Sequence, residues 1–512
     1  MKREVAMPMP NRMPNEVAQQ APPADPCCAD GNVARTDATG RTEMVPELLA
    51  WTTSLAHDRS LVREDLLGSA AHVTMLRKVG LLERGDAQML RGALLGMFDE
   101  ATAGTLVLAD GEEDVHMAIE SRLTRDLGQV GKRLHAARSR NDQVATALRL
   151  HVRDQSARTL AEIANLVTEL AERATDEREV VLPAYTHRQR AQPITAAFLI
   201  TAWANQLLRA GETLAFALDR VNVSPLGCGA CSGTSLPIDR DVVADLLQFN
   251  GTTSNALDTI GDRDFVLDWT WAGARVLLAL SRLATDVIDF TTSEFAFLKI
   301  GDAIAAGSSM MPQKKNPDVF ELVRGKTSRG VGNLMAMLTL VKGLPTGYAR
   351  DLQDDRQPVL DTGPLVRGAV RAVRASMIHL KFDPERCLAA VSDGSTQATD
   401  VAEALVRKGV PFREAYKATG QLVHLAKHEG IDLARLPLSA AQGVHAAFDA
   451  DVLAVLDPRV AVAAKKSLGG TAPDRVDEQI GAVRAGAYEL SYKVGNVPPL
   501  EALRAGIEAE AL

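Results

Sequence analysis

The sequence predicts an all-α protein with long helices bundled at its centre, and three observations carry that expectation. Aromatic residues make up only 4% of the 512 residues while Ala, Leu, Arg and Glu recur throughout, a balance that favours helix over sheet. Apolar residues recur at steps of three and four through long stretches, which is the period of one helix face. The residues of unusual chemistry gather in short runs between those stretches, where loops between helices would lie.

In chain order, residues 1–45 are rich in Pro, Ala, Asn and Asp and have no apolar period, so they read as a disordered extension. They contain no apolar core of the length a signal peptide requires, and no run of eighteen apolar residues occurs in the chain. A cytoplasmic location is expected. Residues 46–138 are expected to form a helical N-terminal domain, 139–388 a central helix bundle and 389–512 a helical C-terminal domain. Within the bundle, Val144, Leu148 and Val152, then Leu160, Ile163, Val167 and Leu170, mark one long seam. Leu207, Leu214 and Leu218 mark a second helix, and Val276, Leu280, Leu283, Val287 and Phe290 a third. Leu334, Leu338 and Val341 mark another. Such seams let long helices pack side by side, and these residues are expected in the core.

Charge and cysteine usage narrow the function classes. With 57 basic against 65 acidic residues the formal net charge is −8, so nothing global recruits nucleic acid or an anionic membrane. Small molecules or copies of the same chain are the expected partners. The five cysteines are too few and too scattered for a disulfide framework. Cys228 and Cys231 form a CxxC, yet no second CxxC or nearby His supplies the remaining ligands of a zinc site, and a packing role is expected. In HLAKH, His424 and His428 stand four apart, but Leu425 occupies the position where a zinc-protease motif needs Glu. That pair reads as helix surface.

Three runs carry candidate chemistry. In LHAARSRNDQVAT, Ser139, Arg140, Asn141, Asp142 and Gln143 fall directly before a periodic helix. Ser139 or Asn141 would cap that helix; the donors gathered with a guanidinium also suit a grip on carboxylate oxygens. In LPAYTHRQRAQPIT, Thr186 and His187 precede Gln189, Arg190 and Gln192; the imidazole is either a positioned acid or base or a structural hydrogen-bonder. The third run is GSSMMPQKKNP, Gly307 to Pro317.

These runs resemble the signature motifs of the fumarase/aspartase superfamily, whose members cleave C–N or C–O bonds of succinyl compounds and release fumarate. The QKKNP ending, ARSRNDQ, YTHRQRAQP and GLPTGYARDLQDDRQ together resemble the argininosuccinate lyase branch, in the family's order from about Ser54 to Pro473. The resemblance implies a three-domain lyase whose central helices form a twenty-helix core in a homotetramer, with each active site shared between chains. It implies a carbon–nitrogen lyase of arginine biosynthesis that eliminates arginine from argininosuccinate, and calls for no metal and no cofactor. Carried over by position, Ser308 is the base, while Lys314 and Asn316 stabilise its alkoxide and the developing dianion. Thr186 holds a substrate carboxylate, and His187 orients or assists proton transfer with Glu321 polarising it; the group that protonates the leaving nitrogen is left open. Ser139, Arg140 and Asn141 grip the succinyl carboxylates beside His116. Ser54 and Asp58 hold the amino-acid end of the arginine portion, and Tyr348, Gln353 and Arg356 bind substrate from a later loop.

The chain also departs from that pattern. A tryptophan-glycine-glycine-arginine-phenylalanine run usual before the Ser54 position is missing, Ala349 replaces a usual Asn, and Arg356 replaces a usual Lys. A guanidinium is a wider, bidentate donor than an ammonium, so these changes bear on the amine. Two further readings follow: a paralogous lyase acting on another N-substituted aspartate, and a catalytically idle structural protein on the lyase scaffold. Retention of Ser308, Lys314, His187 and Asn141 together speaks against the second.

Overall fold

The computed structural model describes residues 46–512; the expected extension, 1–45, lies outside the described residues. The chain opens with α1 (Pro46–Thr52), α2 (Leu55–Asp58), α3 (Val62–Lys78), α4 (Arg84–Ala103) and α5 (Val115–Leu127). Next come α6 (Arg140–Asp176), the hairpin β1 (Val181–Thr186) and β2 (Gln189–Thr195), and α7 (Ala196–Val221). Two short helices, α8 (Arg240–Leu246) and α9 (Ala256–Gly261), precede α10 (Asp264–Phe290), and short strands β3 (Leu298–Ile300), β4 (Ala306–Gly307) and β5 (Lys315–Asn316) lead into α11 (Asp318–Val341). After α12 (Arg356–Met377) and β6 (Leu380–Phe382) the chain forms α13 (Pro384–Ala389), α14 (Ala398–Arg407), α15 (Phe412–Glu429), α16 (Leu438–Val444), α17 (Ala450–Ala454) and α18 (Pro458–Ala464). It closes with α19 (Pro473–Gly495) and α20 (Leu500–Ala509).

The longest helix shows why the bundle forms where it does. α6 runs 37 residues without Gly or Pro, so nothing interrupts its backbone ladder. A capping box starts it: the Ser139 hydroxyl accepts a backbone N–H of the first turn while Asp142 accepts the Ser139 N–H, satisfying donors that the helix itself leaves unpaired. Its predicted seam, from Val144 to Leu170, is buried. It packs into one core with the seams of α7 and α10, the inner faces of α11 and α12, and α19. Close approach of the helices relies on missing side chains: a Cβ on Gly330 of α11 would lie 2.3 Å from Leu277, and one on Gly273 of α10 2.6 Å from Thr362. The three predicted seams in α6, α7 and α10 are therefore core.

The α11 seam differs from expectation. Its buried edge is Phe320, Val323, Thr327, Gly330 and Met337, whereas Leu338 is 44% exposed and Leu334 and Val341 are half-buried. Leu334 and Val341 continue the heptad positions of Phe320 and Thr327 but are only partly covered, because most of the second half of α11 is exposed, and Leu338, one residue past the buried Met337, points out of the chain.

A second core joins α3, α4, α5 and α8 to α20, and a third is built from α14 to α17. The division into 46–138, 139–388 and 389–512 stands as a proposal whose last part the packing modifies, because α19 returns to the bundle and α20 to the N-terminal helices. Cys228 is buried and Cys231 exposed, and His424 and His428 lie on the surface of α15. Among the described residues no helix is long and apolar enough to cross a membrane.

Candidate active site

A cavity of about 340 Å³ opens where the start of α6 meets α2 and the segment between α11 and α12. Four parts of the chain line it: Ser54 and Asp58, then Glu113 and Asp114, then the start of α6 with Ser139, Arg140 and Asn141, then Tyr348, Gln353 and Arg356. Eight of the residues singled out from sequence thus share one wall.

At the α2 side, the Ser54 hydroxyl donates to Asp58 Oδ2, and Asp58 Oδ1 accepts from Arg356 Nε at 2.8 Å. Asp58 and Arg356 are both almost fully buried. Arg356 Nη1 donates to Asp355, and the other oxygen of Asp355 accepts from Arg263 Nε. Burial works against the Arg356 charge, but Asp355 and Asp58 outweigh it and raise its pKa above the ordinary guanidinium value. Paired charges of this kind are tolerated in the interior only when their hydrogen bonds are made.

The α6 start is held equally firmly. Asn141 Nδ2 donates to the Ala230 carbonyl at 2.9 Å. Asp142, fully buried, receives the backbone N–H groups of Gly227 and Gly229 on Oδ2; burial raises its pKa despite those bonds. The CxxC turn at Cys228 is thereby clamped under the helix terminus. Arg140 Nη1 lies 2.8 Å from Asp114 and 3.3 Å from Glu113. Glu113 also meets Arg350 Nη2 at 2.5 Å, and Arg350 and Gln353 reach back to the Thr52 carbonyl. Ser139 therefore spends its hydroxyl as a cap, and Arg140 spends its charge on the chain's own carboxylates.

His116 is buried behind this wall, with Nδ1 2.9 Å from Asp65 Oδ1. Burial opposes its charged form, yet the Asp65 carboxylate outweighs that and raises its pKa. Gln143 Nε2 donates to the same Asp65 oxygen at 2.6 Å. At the rim, burial lowers the pKa of His135 and raises that of Tyr348.

The other two runs lie elsewhere in the chain. Thr186 ends β1 and His187 forms the hairpin tip with Arg188, both tip residues in the left-handed region at φ 52° and 57°. Ser308, Lys314 and Asn316 belong to the β4–β5 loop, with Glu321 exposed in the first turn of α11. None of these six lines the cavity, and among the described residues Glu321 makes no ion pair or hydrogen bond with His187. Within its loop, Ser308 Oγ accepts backbone N–H groups from Met311 at 3.0 Å and Met310 at 3.3 Å. Lys315, the other lysine of the run, pairs with Asp302 at 2.5 Å.

Sequence reasoning missed the residues that hold the wall in place: Glu113, Asp114, His135, Arg350, Asp355 and Arg263. A signal for some of them was present. The acidic run GEED sits directly before VHMAIE, and two consecutive acids precede Arg356 in QDDR; clustered acids beside arginines are candidates for ion pairing.

A long-helix bundle with a mixed-charge pocket at the N-terminus of its longest helix, and a Ser-Lys-Asn loop nearby in the sequence, defines a fumarase/aspartase-type lyase. A lyase family model matches residues 41–332, and an argininosuccinate lyase C-terminal model matches residues 395–463. The chain is 43% identical to the argininosuccinate lyase of Synechococcus sp. (strain JA-3-3Ab) over 456 residues, covering 89% of this chain and 93% of that protein. It is 43% identical to the argininosuccinate lyase of Moorella thermoacetica, covering 84% and 92%. A crystal structure of EDDS lyase in complex with formate superposes with a TM-score of 0.78 at 26% identity, covering 91% of this chain and 95% of that one. The chain belongs to the argininosuccinate lyase family and is a carbon–nitrogen lyase.

Proposed function

We propose that the protein catalyses the reversible elimination of L-arginine from argininosuccinate, releasing fumarate, as a cytoplasmic enzyme of arginine biosynthesis. The observation that carries this reading is the cavity wall that unites Ser54 and Asp58, the α6 terminus, and Tyr348, Gln353 and Arg356. A ligand with carboxylates at one end and an ammonium-carboxylate pair at the other needs donors and acceptors of both signs, and this wall supplies them.

The chemistry requires removal of a weakly acidic Cβ proton, because the carbanion must delocalise into the neighbouring carboxylate as a doubly charged aci-carboxylate. Ser308 is the proposed base. Its Oγ accepts two backbone N–H groups, an arrangement that favours the alkoxide over the neutral hydroxyl. Lys314 and Asn316, on the same loop, stabilise the alkoxide and the dianion. Thr186 holds a carboxylate, and His187, polarised by Glu321, orients or assists the proton transfer. Ser139, Arg140 and Asn141 grip the succinyl portion next to His116. Arg140 reaches it by exchanging Glu113 for a substrate carboxylate, since both are the same kind of partner.

The base loop and the His187 hairpin do not line the cavity of their own chain, and the apolar face of α11 bearing Val331, Met335 and Leu338 is exposed. These features support a homotetramer in which separate chains complete each site. A second reading, elimination of another amine from an N-substituted aspartate, is favoured by Arg356 and Ala349 beside Tyr348. The test is direct: purified protein is given argininosuccinate and fumarate release is followed by absorbance. Release at enzymatic rates supports the first reading; release only from other aspartate adducts supports the second, and release from none sinks both.

A further inference from the structure

We infer that Asp355 and Arg263 are positioning residues that set the amine selectivity of the cavity, by holding Arg356 in a buried, charge-neutral ladder matched to a zwitterionic α-amino-acid end. This rests on the reading of the cavity given above. Neither residue lines the cavity. Asp355 occupies the N-cap position of α12, where an Asp ordinarily accepts a backbone N–H. It makes no such bond. Its two oxygens are taken instead by guanidiniums, Oδ1 by Arg356 Nη1 and Oδ2 by Arg263 Nε. Arg263 stands at the corresponding position of α10, also without a side-chain cap, and is fixed further by Nη1 donating to the Asp262 carbonyl at 2.8 Å. The side chains of Asp355 and Arg263 are 0% and 1% exposed.

The consequence is geometric. Arg356 gives Nε to Asp58 and Nη1 to Asp355, so among the described residues Nη2 is the one nitrogen of that fork without a protein partner. Asp58, Arg356, Asp355 and Arg263 alternate in sign, two carboxylates and two guanidiniums, and their formal charges cancel. A ligand end that carries one ammonium and one carboxylate finds Asp58 for the first and Arg356 Nη2 for the second, and leaves the buried ladder neutral. An end with a carboxylate and no ammonium would add uncompensated charge to a buried site, which is costly. Breaking the ladder at its far end changes that preference without touching a ligand-facing atom.

The experiment compares competitive inhibition of fumarate release by L-arginine, by 5-guanidinopentanoate, which is arginine without its α-ammonium, and by succinate. In Asp355→Asn the ladder carries net positive charge. The expected result is about tenfold weaker inhibition by L-arginine, stronger inhibition by 5-guanidinopentanoate, succinate within about twofold, and a rise in KM larger than the fall in kcat. The double variant Arg263→Gln with Asp355→Asn restores neutrality while losing the same hydrogen bonds, and should recover much of the preference for L-arginine over 5-guanidinopentanoate. Should Asp355→Asn fail to fold, Arg263→Gln, which leaves net negative charge, should shift preference toward agmatine, the decarboxylated amine, over L-arginine. All inhibitors weakening together, or a double variant worse than the single one in selectivity, would overturn the inference. If the unmodified chain releases no fumarate from argininosuccinate, the functional reading fails. If it does, and the variants keep the ratio of L-arginine to 5-guanidinopentanoate inhibition within about twofold, this inference alone fails.

Discussion

Gly261 offers a probe of the Tyr348 loop that removes none of the proposed chemical groups. The residue ends α9, and a Cβ built on it would lie 2.3 Å from the Gly347 carbonyl oxygen and 2.8 Å from its carbon. Side-chain Cβ atoms essentially never approach within 3.0 Å, so in Gly261→Ala the Gly347 backbone must retreat by about 0.7 Å, the difference between 3.0 and 2.3 Å. Both partners are backbone, and no rotamer change relieves the contact. Overpacking of this kind costs about 1–3 kcal/mol, against about 0.4–1 kcal/mol that Ala returns by restricting the unfolded chain; the clash wins. Tyr348, the next residue, lines the cavity, and a shift approaching 1 Å at a positioned group costs on the order of 10²-fold in rate. Gly261→Ala is therefore expected to lower kcat/KM for fumarate release by about 10- to 100-fold, with a modest drop in melting temperature. Gly96→Ala in α4, whose added Cβ meets nothing within 4 Å, serves as the control. Gly261→Ala with a kcat/KM close to that of the unmodified chain would refute the reasoning.

Ser308→Ala should leave folding unchanged and lower turnover by several orders of magnitude, because no other group on the loop replaces a base held by two N–H donors; near-normal fumarate release would remove Ser308 from that role. Arg356→Lys keeps the charge, but one ammonium cannot reproduce the fork between Asp58 and Asp355. The expected loss is about 1–3 kcal/mol in kcat/KM on argininosuccinate, and an unchanged or improved value would show that the fork is dispensable. Stability should fall in acid through His72, whose imidazole burial pushes down to about 3 from an ordinary 6.5. The folded value lies below the unfolded one, so the unfolded chain takes up a proton first; stability is full above about 6.5 and lost as pH falls toward 3, with about 2 kcal/mol gone by pH 5. His116, raised rather than lowered, works in the opposite sense, so the His72 share is the difference in acid-limb slope between His72→Gln and the unmodified chain, and identical slopes would exclude it.

The helices were legible because their cause is local. A 37-residue stretch without Gly or Pro and with apolar residues every third or fourth position has one favourable conformation, and a serine followed three residues later by an aspartate marks its start. Burial of a given face was less legible, since periodicity shows that a stripe exists and not which neighbour covers it; α11 illustrates this with Leu338 exposed and Met337 buried. The site divides in the same way. Ser54, Asp58, Tyr348 and Arg356 stood out through motifs, but the ion pair between Asp58 and Arg356 joins residues 298 positions apart, and no local rule connects them. Glu113 and Asp355 went unremarked because an acid in a loop is ordinarily solvated, and only tertiary packing turns these two toward guanidiniums.

The division of labour within one chain has a consequence that separates binding from turnover. The wall formed by Asp58, Arg356, Tyr348 and the α6 terminus is complete inside a single chain, whereas Ser308 and His187 do not line that cavity. If another copy supplies the base loop across the exposed α11 stripe, a chain unable to associate keeps the amine-side wall and loses the proton-removing group. Met335 and Leu338 are 54% and 44% exposed, so replacing both by Glu places charge on that stripe without disturbing the buried edge at Phe320, Val323 and Met337. Light scattering should then report smaller particles, calorimetry should still detect L-arginine binding, and fumarate release should vanish. A dissociated variant that turns over argininosuccinate at the unmodified rate would place the whole reaction within one chain, and the shared-site reading would have to be abandoned.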